Sequence, residues 1–441
     1  MKKKYIIFSL VTLVLLVALI TSFNYFKTTN TYIDDSVNNQ TKITKGISMN
    51  LEQTAGAGDY KTVTQSGWPT EGYKFNAELS RCENGSTLSW DDTKKAVIVS
   101  GNLSDKCYVY FDKYMPPSNL ADACDSGNNL ATCITSFANE VVSSISNIYY
   151  HDSSLANGAG DNSYRYAGAN PNNFVCFGSD ASPCSTDNLY RIVGVFGENY
   201  HGVTGKQLVK LIKYDYANSN LLGTDGDYKG SGTPNASYYK GSLTTINTYF
   251  LNYKADTSKY NNTWSTSLLN KTNLNTNFIN NIGGTWANKI ATVTWKVGGN
   301  TYANIVQKTP SVAYQNEVLS PQPGNYGNDE TEYNGKIGLM YASDYGFGAV
   351  PEAWTTTLYS YDVSVNGSTI RSQNWMYMGY SDWTISRNSE VSHSAFQVTY
   401  DGYVYGGNVG NDYGVRPSFN LLSSITYVSG SGSMSDPVRV N

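Results

Sequence analysis

Residues 189–196 read Leu-Tyr-Arg-Ile-Val-Gly-Val-Phe, and this apolar run sets the expected class of fold. β-Branched and aromatic residues dominate it, which is typical of a β-strand. Similar runs occur at 208–212, 291–297 and 336–340, and shorter ones at 395–399 and 403–405. The sequence therefore predicts a strand-rich domain around residues 189–196.

Helical patterns lie between these strands. Upstream, apolar residues recur every three or four positions, at Ile134, Phe137, Val141, Ile145 and Ile148. This spacing predicts a helix with one apolar face. Two serines, Ser242 and Ser267, precede further helical patterns as candidate N-caps. The predicted fold class is α+β, with one large, loop-rich domain over residues 122–441.

A smaller all-β domain is predicted over residues 48–114. Its strand signals include the apolar run 96–99 and the alternating run 107–111. A unit of this size buries only a small core, so a cross-link would add stability. The proline-containing segment 115–121 is interpreted as a stiff linker to the large domain.

The N-terminus predicts export. Three lysines precede an apolar run from Tyr5 to Phe23, and about 20 apolar residues can cross a bilayer as a helix. Residues 1–23 are therefore expected to form a cytoplasmic tip and a single transmembrane signal anchor, followed by a stalk over 24–47. The localisation expected is the cell membrane, single-pass, with the C-terminal part extracellular. A cleaved signal peptide is the alternative, and it also exports the chain.

Six cysteines fit an exported protein, in which disulfides form and persist. Six cysteines allow 15 connectivities. Their order along the chain favours three local pairs: Cys82 with Cys107, Cys124 with Cys133, and Cys176 with Cys184. A structural zinc site is disfavoured, because there is no Cys-x-x-Cys and the three histidines are far apart.

Composition narrows the function classes. The net charge is −4 and only 15% of residues are charged, so the chain lacks the basic field needed to bind nucleic acid. Tyrosine occurs 37 times and glycine 40 times. Tyrosine interleaved with glycine, serine and asparagine is also the composition of many binding surfaces.

Several motifs resemble a family of surface proteins of low-GC Gram-positive bacteria. The motif-bearing stretches are 75–111, 164–174, 189–196, 337–346 and 383–417. The last ends in Gly414-Val415-Arg416-Pro417, which also resembles the closing strand of the C-type-lectin-like fold in its formylglycine-generating-enzyme-like branch. The resemblance implies a C-type-lectin-like large domain. It implies no single activity, because that fold hosts enzymes, sugar binders and receptor binders.

The segment from Gln373 to Tyr413 is the predicted binding face. It is rich in aromatics and in glycine, serine and asparagine, so much of its backbone is expected at the surface. About half of its eight tryptophans and tyrosines are expected to be buried, because side chains alternate between the two faces of a strand. The candidate ligand-binding residues are Trp375, Tyr377, Tyr380, Tyr403, Tyr405, Asn408 and Asn411.

Other candidate sites have plainer interpretations. Arg416 is expected to be a buried arginine that bonds backbone carbonyls. Oxygen ligands for calcium exist in Asp382, Asp401 and Asp412 with Asn388, Asn408 and Asn411, so calcium stays open as a cofactor. No other cofactor and no metal site is expected. Aspartate and asparagine are also common in turns, which would explain the same six residues without calcium.

Enzymatic signals are weak. No cysteine follows Cys184, which excludes the cysteine chemistry of formylglycine-generating enzymes. A glycosidase needs two carboxylates about 5 to 9.5 Å apart, and Glu352, Asp382 and Glu390 are the candidates by residue type. No catalytic residue is assigned.

The sequence thus favours a membrane-anchored extracellular binding protein, an adhesin or receptor-like protein. Its expected partners are glycans or proteins on host or neighbouring cells, and the membrane through the N-terminal helix, but not nucleic acid. An extracellular carbohydrate-active hydrolase and a structural envelope protein are the alternatives. An acid pair in a deep cleft would favour the hydrolase, whereas an aromatic face would favour binding.

Overall fold

The computed structural model describes residues 46–64, 67–69, 71–102, 104–224, 246–252, 261–324 and 329–441. The chain divides into two compact units, with the boundary between Pro116 and Pro117. This boundary falls within the segment interpreted as a linker.

The first unit is all β among its described residues. Its strands are β1 (Ile47–Glu52), β2 (Tyr60–Val63), β3 (Tyr73–Cys82), β4 (Thr87–Asp91), β5 (Ala96–Ser100) and β6 (Cys107–Lys113). Four form a sheet in the order β2-β1-β6-β3, and β4 and β5 form a hairpin. Met49, Leu51, Val97, Val109 and Phe111 make the small core.

The second unit holds nineteen strands within the described residues. They are β7 (Ile148–His151), β8 (Ser163–Tyr166), β9 (Phe174–Cys176), β10 (Leu189–Phe196), β11 (Leu208–Lys213), β12 (Tyr249–Phe250), β13 (Val293–Lys296), β14 (Gly299–Asn300), β15 (Glu332–Gly335), β16 (Ile337–Gly338), β17 (Ser364–Val365), β18 (Ser368–Thr369), β19 (Asp382–Asn388), β20 (Ser394–Val398), β21 (Val404–Asn408), β22 (Asp412–Tyr413), β23 (Ser418–Asn420), β24 (Tyr427–Ser429) and β25 (Arg439–Val440).

A seven-stranded sheet forms the centre of this unit. Its order is β16-β23-β11-β10-β8-β7, with β9 also paired to β10. The apolar run 189–196 is β10, and all eight of its residues are buried. A second sheet, β14-β19-β20-β21, carries most of the segment predicted to bind.

The helices are short. They are Leu120–Ala123, Leu130–Glu140, Ser143–Ser146, Thr186–Asn188, Glu198–His201, Ser219–Leu222, Leu269–Phe278, Ile279–Asn281, Gly284–Ala287, Tyr302–Ile305, Pro310–Tyr314, Gln315–Leu319, Ala342–Phe347, Pro351–Thr355, Leu358–Ser360 and Ile370–Gln373. Leu269–Phe278 and Gln315–Leu319 are π-helical.

The first predicted helix is shorter than its apolar stripe. Asn129 caps Leu130–Glu140, and Ile134 and Phe137 face the core. The helix ends before Val141, Ile145 is 60% exposed and Ile148 begins β7. The helix predicted after Ser242 lies outside the described residues, whereas the one predicted after Ser267 is present as Leu269–Phe278.

The predicted fold class, a C-type-lectin-like large domain together with a transmembrane helix, requires correction in everything but its α+β composition. The described chain is a mixed α+β structure with many short strands and few helices, and no C-type-lectin-like assignment follows from it. Across the described ranges, no helix is both long enough and apolar enough to cross a membrane. The transmembrane helix predicted over 1–23 lies outside those ranges. Frequent turn residues explain the short elements: Asn147, for example, takes a left-handed conformation (φ 56°) that ends Ser143–Ser146.

All three local disulfide pairs are confirmed. The Cα–Cα distances are 4.0 Å for Cys82–Cys107, 5.4 Å for Cys124–Cys133 and 5.9 Å for Cys176–Cys184. Cys82 and Cys107 are also directly opposite each other on β3 and β6.

A buried ionic network lies on one face of the central sheet. Asp344 accepts hydrogen bonds from Lys210 Nζ (2.7 Å) and the Tyr200 hydroxyl (2.7 Å), and Arg165 Nη1 lies 3.5 Å from it. Arg165 also bonds Asp161 at 2.8 Å. These residues come from four separate segments, and two of the segments belong to the motif stretches 164–174 and 337–346, so these two motifs meet in the core.

Candidate functional site

Four tyrosines form an exposed cluster on the second unit, which we call the tyrosine surface: Tyr302, Tyr359, Tyr403 and Tyr405. The ring centroids lie 5.3 Å apart for Tyr302–Tyr405, 5.5 Å for Tyr359–Tyr403, and 6.1 Å for both Tyr359–Tyr405 and Tyr403–Tyr405. Tyr359 is 49% exposed and Tyr405 is 43% exposed. Rigid aromatic rings with this exposure offer contact area at a low cost in conformational entropy.

Strand alternation places two of these rings together. Tyr403 and Tyr405 flank Val404, which is fully buried at the start of β21. Because successive side chains on a strand point to opposite faces, burying Val404 directs both tyrosines outward. The alternation of Tyr403, Val404 and Tyr405 is already visible in the sequence.

The other two rings arrive from distant segments. Tyr302 begins the helix Tyr302–Ile305, and Tyr359 lies in the short helix Leu358–Ser360. Backbone bonds from Leu358 to Lys308 and from Tyr359 to Val306 hold the second helix in place, and the side chain of Leu358 is fully buried. Sequence reasoning missed Tyr302 and Tyr359, since neither belongs to a local aromatic pattern.

Two hydroxyl groups of the tyrosine surface, those of Tyr302 and Tyr403, have raised pKa values. Burial and the neighbouring Tyr405 and Tyr359 raise the pKa of Tyr302, which also shares a side-chain hydrogen bond with Tyr405. Burial, then Asp401 among the neighbouring groups, raises the pKa of Tyr403. Neutral phenols both donate and accept hydrogen bonds, so the surface combines ring faces with polar groups.

Two predicted asparagines lie at the other end of β21. The side chain of Asn408 accepts a hydrogen bond from Gly410 N (2.9 Å), and that of Asn411 donates to the Tyr413 hydroxyl (2.9 Å). They shape the turn between β21 and β22. Tyr380 is 44% exposed but packs against Tyr216, with ring centroids 6.2 Å apart. The structure therefore does not group these three residues with the tyrosine surface.

Trp375 and Tyr377 line a separate cleft of about 500 Å³. We call it the arginine cleft. Its lining is Ala169, Asn170, Asn172, Phe174, Arg191, Tyr214, Arg371, Ser372, Asn374, Trp375, Tyr377, Met378 and Met434. Trp375 is only 3% exposed and donates Nε1–H to the Tyr166 carbonyl at 2.9 Å, so it is a wall of the cleft rather than a free surface anchor.

The tyrosine surface and the arginine cleft are connected through the turn between β20 and β21. Arg371 Nη1 bonds the Asp401 carbonyl at 3.0 Å, and the Tyr377 hydroxyl donates to the Tyr400 carbonyl. The buried Tyr345 hydroxyl holds the same turn by donating to the Gly402 carbonyl at 2.6 Å. Tyr403 leaves this turn toward the tyrosine surface.

The eight tryptophans and tyrosines of the predicted face are less buried than expected. Only Trp375 and Trp383 are fully buried. The exposed members are Tyr380, Tyr400 and Tyr405, and the half-buried ones are Tyr377, Tyr403 and Tyr413. The segment turns sharply several times, so few of its aromatics follow a regular two-residue alternation.

The candidate calcium ligands have other partners. Asp382 binds Arg416 Nε at 2.7 Å in the interior, Asp401 lies 3.4 Å from Arg371, and Asp412 accepts from the Thr248 hydroxyl at 2.7 Å. Over the described ranges, no group of three or more His, Cys, Asp or Glu residues is arranged to hold a metal ion.

Arg416 has the structural surroundings expected of it. It is 1% exposed and donates Nη2–H to the Met376 carbonyl at 2.7 Å, in addition to its bond with Asp382. Burial raises the pKa of Asp382 to about 6, and Arg416 opposes that shift. Through the Met376 carbonyl, Arg416 holds the backbone between Trp375 and Tyr377 in place.

The carboxylates considered for a hydrolase are not placed for one. Asp382 is bound to Arg416, Glu352 is exposed, and Glu390 accepts the Tyr302 backbone N–H at 3.0 Å. The residues lining the arginine cleft include no aspartate or glutamate.

No protein-family model, curated protein or solved structure matches this chain. The resemblance to surface proteins of low-GC Gram-positive bacteria stays a prediction made from the sequence motifs.

Proposed function

We propose that this chain is an extracellular binding protein, an adhesin or receptor-like protein, that binds glycans on host or neighbouring cells. The observation that carries the proposal is the tyrosine surface, with two of its four rings more than 40% exposed. Three disulfides support a location outside the cytoplasm, where such bonds persist.

The chemistry of the tyrosine surface favours sugars. Tyrosine rings offer flat apolar faces on which sugar rings stack, and their neutral hydroxyls bond sugar hydroxyls. Asp401 lies two residues before Tyr403, and its side chain is 40% exposed although it pairs with Arg371, so it can also accept hydrogen bonds from sugar hydroxyls. A protein partner is the competing ligand class, since exposed aromatics also serve as anchors in protein interfaces.

The test is a glycan-binding screen of the full chain with three single variants. Tyr359→Ala and Tyr405→Ala should each weaken binding more than fivefold, as expected for a contact worth about 1 kcal/mol or more. Tyr150→Ala is the matched control, because Tyr150 is 40% exposed in the same unit but outside the tyrosine surface. Circular dichroism and thermal unfolding would establish that all three variants fold.

Two results would overturn the proposal. One is full glycan affinity in normally folded Tyr359→Ala and Tyr405→Ala. The other is a chain that binds no glycan but binds a protein through the same tyrosines, which would replace the ligand class.

A further inference from the structure

We propose that the arginine cleft binds the carboxylate of an acidic sugar, with Arg191 and Arg371 as its anion-recognising residues. This inference rests on the proposed glycan-binding function and adds a second subsite, with a defined chemistry, beside the tyrosine surface.

The first argument is the uncompensated charge of Arg191. Its side chain donates to Asn173 Oδ1 (2.6 Å), the Pro171 carbonyl (2.8 Å) and the Trp375 carbonyl (3.5 Å), all neutral acceptors. Among the described residues, no carboxylate forms an ion pair with it. Arg191 is 4% exposed, so the charge is largely out of water.

Burial makes this charge costly. It lowers the pKa of Arg191 to about 9, and the nearby Arg416 acts in the same direction. The guanidinium is therefore still charged at neutral pH. Burying a cation with only neutral hydrogen-bond acceptors is unfavourable, and an anion bound in the cleft would offset part of that cost.

The second argument is the position of Arg371 in the same lining. Its hydrogen bonds to Asp401, at 3.0 Å and 3.4 Å, both use Nη1. Its Nε and Nη2 groups make no hydrogen bond to the described residues. A planar guanidinium offers two parallel donors to a carboxylate, which makes such contacts both strong and directional.

The rest of the lining fits a sugar that carries the acid. Phe174 and Trp375 both contact the Arg191 guanidinium, with the charge 4.3 Å and 4.7 Å from their ring centroids. Tyr214 and Tyr377 add further rings, and Asn170, Asn172 and Ser372 add neutral polar groups of the kind that bond sugar hydroxyls. The lining holds two arginines and no acid, and although Arg371 shares its charge with the Asp401 carboxylate 3.4 Å away, Arg191 has no such partner among the described residues. The cleft therefore favours an anionic ligand over a cationic one.

The test compares acidic sugars with their neutral derivatives on the full chain. Glucuronate and N-acetylneuraminate glycosides, their methyl esters and inorganic phosphate would be titrated by calorimetry. At least one acidic glycoside should bind ten or more times tighter than its methyl ester. Esterification removes the negative charge but keeps the ring.

Variants locate the subsite. Arg371→Met should reduce affinity for the acidic glycoside about tenfold, and the ratio of acid to ester affinity should fall with it, because only the acid carries the charge that Arg371 recognises. Lys271→Gln is the charge-matched control, because it removes one exposed cation from the same unit outside the cleft. Arg191→Lys keeps the charge but loses the planar fork, so it should also weaken acid binding.

The outcomes separate the two proposals. Equal affinity for acid and ester, with Tyr405 still required, overturns the acidic subsite and leaves glycan binding in place. Phosphate binding as tight as that of the glycosides overturns the assignment to a sugar acid. Loss of acid binding in Lys271→Gln equal to that in Arg371→Met shows only a general charge effect and also overturns the subsite. Absence of all glycan binding removes both proposals.

Discussion

Lys210 Nζ lies 2.7 Å from Asp344 Oδ2, and both side chains are fully buried. Lys210 comes from the middle of β11, and Asp344 lies in the first turn of Ala342–Phe347, where its carboxylate also accepts the Tyr341 backbone N–H. The ion pair therefore joins the central sheet to the start of a helix 134 residues later.

Breaking this pair should destabilise the second unit strongly. Lys210→Met leaves Asp344 buried with one fewer cation, and loss of one member of a buried pair typically costs 3–5 kcal/mol. Urea unfolding would measure the change. Glu332→Gln breaks the Lys296–Glu332 pair, whose glutamate is 53% exposed, and should cost less than about 1 kcal/mol. Similar effects of the two substitutions would contradict a special role for Lys210.

Stability should depend on pH through Glu317. Burial raises the pKa of this residue from 4.5 to about 7. The folded state thus binds a proton that the unfolded state releases, so stability falls as pH rises from about 4.5 to 7. The expected loss is about 3 kcal/mol.

The Glu317 contribution can be isolated with a variant. Glu317→Gln cannot titrate, so its free energy of unfolding should change less between pH 4.5 and 7.5 than that of the natural chain. Glu390→Gln, at an exposed site, should keep the natural slope. The slope is the readout, because the glutamine also alters the bonds that Glu317 accepts from Ala342 and Ser343. Parallel profiles for all three proteins would rule this assignment out.

The Cys82–Cys107 disulfide should stabilise the first unit by about 3.5 kcal/mol. It closes a separation of 25 residues in a unit with a five-residue core, and chain entropy sets this scale. In the double serine variant, amide hydrogen exchange should speed up in β6. Exchange in β11 should be unchanged, because the chain divides into two compact units.

The Cys176–Cys184 pair is the control for this prediction. Its double serine variant should speed exchange in the second unit and leave β6 protected. Equal loss of protection in both units, from either variant, would contradict separate stabilisation.

Gly194 should tolerate no side chain. A Cβ at this position would lie 2.2 Å from the Tyr164 carbonyl oxygen, where β10 pairs with β8. Gly194→Ala should therefore cost about 3 kcal/mol through overpacking. Gly197→Ala meets nothing within 4 Å and should cost less than about 1 kcal/mol. Thermal unfolding of the two variants would decide, and equal melting temperatures would refute the steric argument.

Local signals were the part of this fold that the sequence predicted well. The run 189–196 coincides with β10, and the three nearest-neighbour cysteine pairs are the observed disulfides. Both depend on residues close in sequence. The prediction of one helix through Ile145 was wrong because the chain turns at Val142 and Asn147. Ile148 is then buried as the first residue of a strand.

The candidate site was predicted only in part for a related reason. Tyr403 and Tyr405 follow a two-residue period, but their neighbours Tyr302 and Tyr359 are far away in sequence. Arg191 gave no signal either, since it lies inside an apolar strand and its environment is set by Phe174 and Trp375. Contacts of this range depend on topology that no local pattern encodes.

The position of β23 has a consequence for how the protein matures. Residues 418–420 lie between β11 and β16, although both of those strands are made much earlier in synthesis. Until β23 has been synthesised, β11 has an unpaired edge in the middle of the future sheet, and strands of other chains can pair with it there. A chain that is cut or stopped before residue 418 would therefore keep this edge exposed and would pair with other chains more readily than the full chain does.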